Sequence, residues 1–119
     1  MALRIGMVTA DCADPKALAA FWVAALETSV VFEVEGFVML APPAEGGPAL
    51  GFQRVPEERV GKNRLHLDLG APQGGRAHEV ARLVGLGATE LGERGGDEYG
   101  LVWTTLVDPE GNEFCVGEH

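Results

Sequence analysis

The run Arg64-Leu65-His66-Leu67-Asp68-Leu69 sets a guanidinium, an imidazole and a carboxylate two residues apart and alternates each with a leucine. Such alternation predicts a half-buried strand, because side chains two apart share a face. Leu65, Leu67 and Leu69 are predicted to press on a helix, leaving Arg64, His66 and Asp68 on the other side. There His66, held by Asp68, can move a proton next to a carbonyl, and Arg64 can steady an enolate or carboxylate. The plain alternative is a hydrogen-bonded core histidine. In the last apolar run the same rule turns Phe114 and Val116 toward a helix and sets Glu113 and Cys115 on the polar face. In the run ending at Val55, Leu50 and Phe52 face the helix, whereas Gly51, Gln53 and Val55 face away. A buried polar group without a partner costs about 1 to 3 kcal/mol, so a surface gathering Gln53, Arg64, His66, Asp68 and Glu113 predicts a cavity with water or ligand. Cys115 also reads as a small buried apolar side chain.

The elements that must hold these residues occur twice: a strand, a helix and three short strands over residues 3–55, and the same order over 63–117. The halves share almost no letters, and a repeat this long matches none of the short solenoid periods. Asp14 and Pro15 announce the first helix, and Leu18, Phe21, Trp22 and Ala25 form its stripe, with Trp22 read as core. Its other face, Ala17, Ala20 and Ala24, is also apolar and predicts a sandwiched helix or one covered by another subunit. In the second helix, GRAHEVARLVGLG, Ala77, Val80, Ala81 and Val84 are predicted to face in, and Arg76, His78, Glu79 and Arg82 out. Glu35-Gly36 reads as a hairpin junction, and DPEGN as a turn in which Asp108 and Asn112 are turn-formers. Segments 42–48 and 92–100, rich in Gly and Pro, read as flexible loops at equivalent places, able to act as lids.

Length and charge bound the function. The 119 residues predict a single domain with one core, 46% of them are apolar, and no run is long enough to span a membrane. MALRIG carries no secretion signal, so the protein is expected in the cytoplasm, with Cys12 and Cys115 as thiols rather than a bridge. Net charge is −9, with 4 basic and 8 acidic side chains in residues 1–60 and 5 and 10 in 61–119. An acidic chain without a basic face argues against nucleic acid as partner. Arg54, Arg59, Lys62 and Arg64 gather at the junction of the halves, as a solvated linker or as a positive rim for an anionic small molecule.

Four stretches, DCADPKALAAFW with the AL that follows, KNRLHLDL, LGA and the closing DPEGNEFCV, together resemble the vicinal oxygen chelate superfamily over nearly the whole chain. That family includes glyoxalase I, extradiol dioxygenases, fosfomycin-resistance enzymes and bleomycin-resistance proteins, and the chain looks most like its glyoxalase-like branch. The resemblance implies an α+β fold of two βαβββ modules whose mixed sheets curl into a cup, with helices outside and ligand inside. In metal-using members the cup holds a divalent ion on first and last strands of the modules. The positions this implies here are Met7, Gln53, His66 and Cys115, of which only His66 is an ordinary ligand. An iron, manganese or nickel site wants imidazole and carboxylate, which Met7 and Gln53 do not supply, so no metal cofactor is expected. A site using Asp68 or Glu113, or a soft set of His66, Cys115 and Met7, stays open as the alternative.

Three functions follow. The first is a metal-independent protein that binds a small, partly aromatic molecule, with Trp103 and other aromatic rings as stacking surfaces. The second is a lyase or isomerase of glyoxalase type working through His66 and Asp68. The third is an interaction module without ligand. A homodimer is expected, as is common in the family.

Overall fold

The computed structural model describes residues 2–96 and 101–118. The chain divides into two compact units, one ending at Glu58 and the other beginning at Arg59. The first contains β1 (Met7–Cys12), α1 (Pro15–Leu26), β2 (Val30–Val34), β3 (Phe37–Leu40) and β4 (Ala49–Arg54). The second contains β5 (Asp68–Ala71), α2 (Arg76–Leu86), β6 (Thr89–Gly96), β7 (Leu101–Val107) and β8 (Glu113–Glu118). Their four-stranded sheets run β1-β4-β3-β2 and β5-β8-β7-β6. In each sheet the first strand pairs parallel with the last, the other pairs are antiparallel, and the sheet stays open. This is the α+β, two-module βαβββ architecture that the doubled pattern predicts.

Local chemistry explains the first unit. The Asp14 carboxylate accepts from the Ala17 amide at 3.2 Å and Pro15 opens α1, so a donor the helix cannot satisfy internally finds a partner. Leu18, Phe21, Trp22 and Ala25 are all buried, Trp22 with 3% of its surface exposed, as the stripe predicts. They pack with Val38, Leu40, Leu50 and Phe52, the buried positions of β3 and β4. Gly36 at φ 82° turns the hairpin from β2 to β3, a conformation few other residues take without strain. The Arg54 guanidinium, 2.6 Å from Glu35, clamps this hairpin and holds the Glu35 carboxyl below the usual carboxylate range. Asp14→Ala should shift the urea midpoint by the equivalent of about 1 kcal/mol, since it removes a helix cap and little packing. An unshifted midpoint would show that the cap adds nothing to the folded state.

In the second unit α2 packs through Val80 and Leu83 alone, which corrects its predicted face. Ala77, Ala81 and Val84 are exposed, while Arg76 is half-buried. The reason is the Arg76 side chain, which reaches Thr104 Oγ1 at 2.7 Å and Glu93 at 3.2 Å and so turns the start of the helix toward the sheet. Arg82 donates to Glu79 one turn back and keeps the Glu79 carboxyl below the usual range. Asp108 is buried, and its carboxylate accepts from the Glu110 and Asn112 amides and from the Asn112 side chain, as its reading as a turn-former predicts. Gly111 completes that turn at φ 86°.

Three strand limits differ from expectation. Residues 3–6 are not strand and Leu3 and Ile5 are exposed, because the partner strand begins at Ala49, opposite Met7. Residues 92–96, read as loop, belong to β6, and 97–100 lie outside the described residues. Arg64, Leu65 and His66 precede β5 rather than lying in it, and Leu65 is 85% exposed instead of pressing on a helix. Asn63 accounts for this. Its side chain accepts from the Glu113 amide at 2.7 Å and donates to the carbonyls of Glu113 and Leu65, taking the place of a ladder partner and arching the chain away from the sheet.

Candidate functional site

The register of the second sheet assembles the site. Asp68 on β5 is opposite Cys115 on β8, Cys115 is opposite Thr105 on β7, and Thr105 is opposite Gly92 on β6. The next row is Gly70, Gly117, Trp103 and Arg94. On β8, Phe114 and Val116 are buried in the core, which leaves Glu113, Cys115 and Gly117 on the opposite face. That face borders a cavity of about 920 Å³ within the second unit. Trp103, Thr105, Cys115 and Gly117 line it from the sheet, His66 and Asp68 from one side, and Arg76, Arg94 and Lys62 from its margins. Gly70 and Gly117 add no side chain to this row, and Gly117 and Trp103 both line the cavity, which leaves a recess between them.

The arch made by Asn63 brings His66 over the end of β5. His66 Nδ1 lies 3.1 Å from Asp68 Oδ1, close enough for the carboxylate to orient the ring. Cys115 Sγ lies 3.5 Å from Thr105 Oγ1. One donor atom each from His66, Asp68 and Cys115 falls within 4.8 Å of the others, a group able to hold a metal ion. Cations on the walls are partly spoken for: Lys62 is 3.8 Å from Glu113, and Arg76 bonds Glu93 and approaches Glu118. Arg94 donates to the Glu93 carbonyl and has no acidic partner among the described residues.

The sequence-predicted residues divide between the units. His66, Asp68, Trp103, Glu113 and Cys115 meet at this cavity. Arg64 is exposed and does not line it, because the arch turns it outward. Met7 and Gln53 lie in the first unit on β1 and β4, where the Met7 sulfur and the Phe37 ring sit over Gly51, close enough that a Cβ there would lie 3.0 Å from the sulfur. Arg76, Arg94 and Thr105 escaped the sequence reading as site residues. Thr105 shares strand parity with Trp103 and could have been found by it; Arg76 sits on a helix start that reads as solvated.

Thioether, amide, imidazole and thiol, the donors at Met7, Gln53, His66 and Cys115, do not fit an ion of the manganese or iron type, which takes oxygen and imidazole ligands. The His66, Asp68 and Cys115 set is softer and suits a thiophilic ion of the zinc type.

The chain matches the family model described as glyoxalase-like domain over residues 7–117. Comparison with curated proteins found no match. Among solved structures, a glyoxalase/bleomycin resistance protein/dioxygenase family enzyme from Burkholderia phytofirmans PsJN is 19% identical, with a TM-score of 0.82 over 95% of this chain and 96% of that one. A fosfomycin resistance protein from Listeria monocytogenes, solved with Mn(II) and a dihydroxypropylphosphonic acid, is 12% identical with a TM-score of 0.80 over 98% and 90%. A lactoylglutathione lyase from Agrobacterium tumefaciens is 19% identical with a TM-score of 0.71 over 97% and 92%. At these identities the likeness establishes the fold. No helix among the described residues is long and apolar enough to cross a membrane.

Proposed function

Since the chain belongs to the glyoxalase-like domain family, we propose that it binds a small, partly aromatic organic molecule in the cavity of the second module, without the divalent metal common in that family. The observation that carries this reading is Trp103 beside side-chain-free Gly117, both lining a cavity of about 920 Å³. A planar molecule laid there covers the indole edge or face, and stacking adds about 0.5 to 1.5 kcal/mol to the burial of the rings. Arg94 lies opposite Trp103 on the neighbouring strand and offers a guanidinium to a carboxylate on the same molecule. A cavity of this size also weighs against a module that only holds other proteins.

Titration with a panel of aromatic carboxylates tests the reading, with tryptophan fluorescence as the readout. Trp22 is buried in the first unit, so a quench that disappears in Trp103→Phe reports this cavity. Trp103→Ala should weaken binding about tenfold, whereas His66→Ala should leave it within about threefold. No saturable quench with any member of the panel would sink the reading.

The approach of Asp68 to within 3.1 Å of His66 Nδ1 favours a second reading, an isomerase or lyase in which His66 moves a proton beside a carbonyl. Deuterium exchange from solvent into a bound 2-hydroxycarbonyl compound, lost in His66→Gln, separates this enzyme from a pure binder.

A further inference from the structure

We propose that Cys115 is a nucleophilic thiol, served by His66 and with Asp68 as a positioning residue, that forms a covalent adduct with an α,β-unsaturated carbonyl compound entering the cavity of the second module. This goes beyond reversible binding and rests on that reading only for the cavity itself. Thiol, imidazole and carboxylate come within 4.8 Å of one another, and backbone register sets two of the three, since Asp68 and Cys115 are cross-strand partners. Asp68 lies against the His66 ring, and the imidazole is the base of the three suited to take a proton from sulfur. Cys115 has 9% of its surface exposed, and it lines the cavity.

The chemical class follows from the surroundings. Sulfur is a soft nucleophile and prefers a conjugated carbon, and a conjugated molecule is planar and can stack on Trp103, which lines the same cavity. In the reaction the Cys115 proton passes to the His66 imidazole. The thiolate sulfur then bonds to the β-carbon while the C=C π pair moves onto the carbonyl as an enolate. His66 returns its proton to the α-carbon, giving a saturated thioether. Every proton and electron pair is accounted for by the two reactants. The reverse sequence, with His66 removing the α-proton, releases the olefin and the thiol.

Cys12 is an internal control, because it is also buried, at 5% exposed against 9%, but points its sulfur at the Gln53 carbonyl in the other unit. The whole protein is treated with N-ethylmaleimide, and the rate at each cysteine is read by peptide mass spectrometry between pH 5 and pH 9. Cys115 should react at least about tenfold faster than Cys12. His66→Gln, which keeps the bulk of the ring, should slow Cys115 about tenfold and move its pH profile upward, and Asp68→Asn should shift the profile with a smaller loss of rate. Equal rates at the two cysteines, or a Cys115 rate unmoved by His66→Gln, overturns the proposal. Protection of Cys115 that a chelator lifts also overturns it and gives the three donors to a thiophilic cation. In the unsubstituted protein, quenching by an aromatic carboxylate without fast labelling of Cys115 sinks the thiol alone, and fast labelling where no aromatic carboxylate quenches sinks the binding reading alone; Cys115→Ser should lose the fast labelling and keep the quench.

Discussion

Gly117→Leu should weaken binding in the second module by about 100-fold or more, equivalent to about 2.7 kcal/mol, while leaving the protein folded. Gly117 lies in the middle row of the sheet, opposite both Gly70 and Trp103, and borders the cavity. A leucine there fills the recess beside the indole with four carbons, so a planar ligand must either lift off the ring or leave. The fold should tolerate the change, because leucine suits a strand better than glycine does and Gly117 borders the cavity on the face opposite Phe114 and Val116. The comparison is fluorescence titration of the variant beside its thermal melt. Binding within about threefold of the parent would mean that the ligand does not use the recess, and the proposal for the cavity would have to move to its charged margin.

Phe114→Ala should cost about 3 to 5 kcal/mol of stability, the range for deleting a large aromatic ring from a packed core. Phe114 is 1% exposed and stands on β8, which is flanked by β5 and β7 and is the strand that carries Cys115 and Gly117. Removing the ring costs transfer free energy and leaves a void that rigid neighbours close only in part. The loss is read as a fall in the urea midpoint at unchanged slope. A cost under about 1 kcal/mol would show that α2 and the sheet can collapse onto the vacancy, and that the second unit is packed loosely around its central strand.

The sequence announced α1, the two hairpin turns and the order of elements through signals that act locally: a cap, a proline at the helix start, a glycine at positive φ. It misreported α2 because amphipathic spacing says which residues are apolar and not how much of them a neighbour covers. Only Val80 and Leu83 are covered, since Arg76 tethers the helix start to Thr104 and Glu93. The glycine-rich stretch 92–96 reads as loop for want of side chains, yet its backbone pairs with β7, which depends on a partner outside the window. Within the site, alternation correctly grouped Glu113 with Cys115, and Asp68 with the cavity. It failed at Arg64, where the hydrogen bonds of Asn63 to Glu113 break the strand before it starts. A long-range clamp of that kind has no local signature.

The parallel pairing of the first and last strands in each module has a consequence for the order of events in folding. Met7 meets Ala49, and Asp68 meets Cys115, only after the helix and two further strands have been laid down between them. Closing so long a loop costs entropy before any contact repays it, so local hairpins such as β2-β3 should form early and the parallel seam late. During synthesis the first module can close its seam once β4 has left the ribosome, whereas the second waits for β8. The row that places Asp68 against Cys115 is part of that final seam, so the chemistry of the second module is assembled by its slowest step.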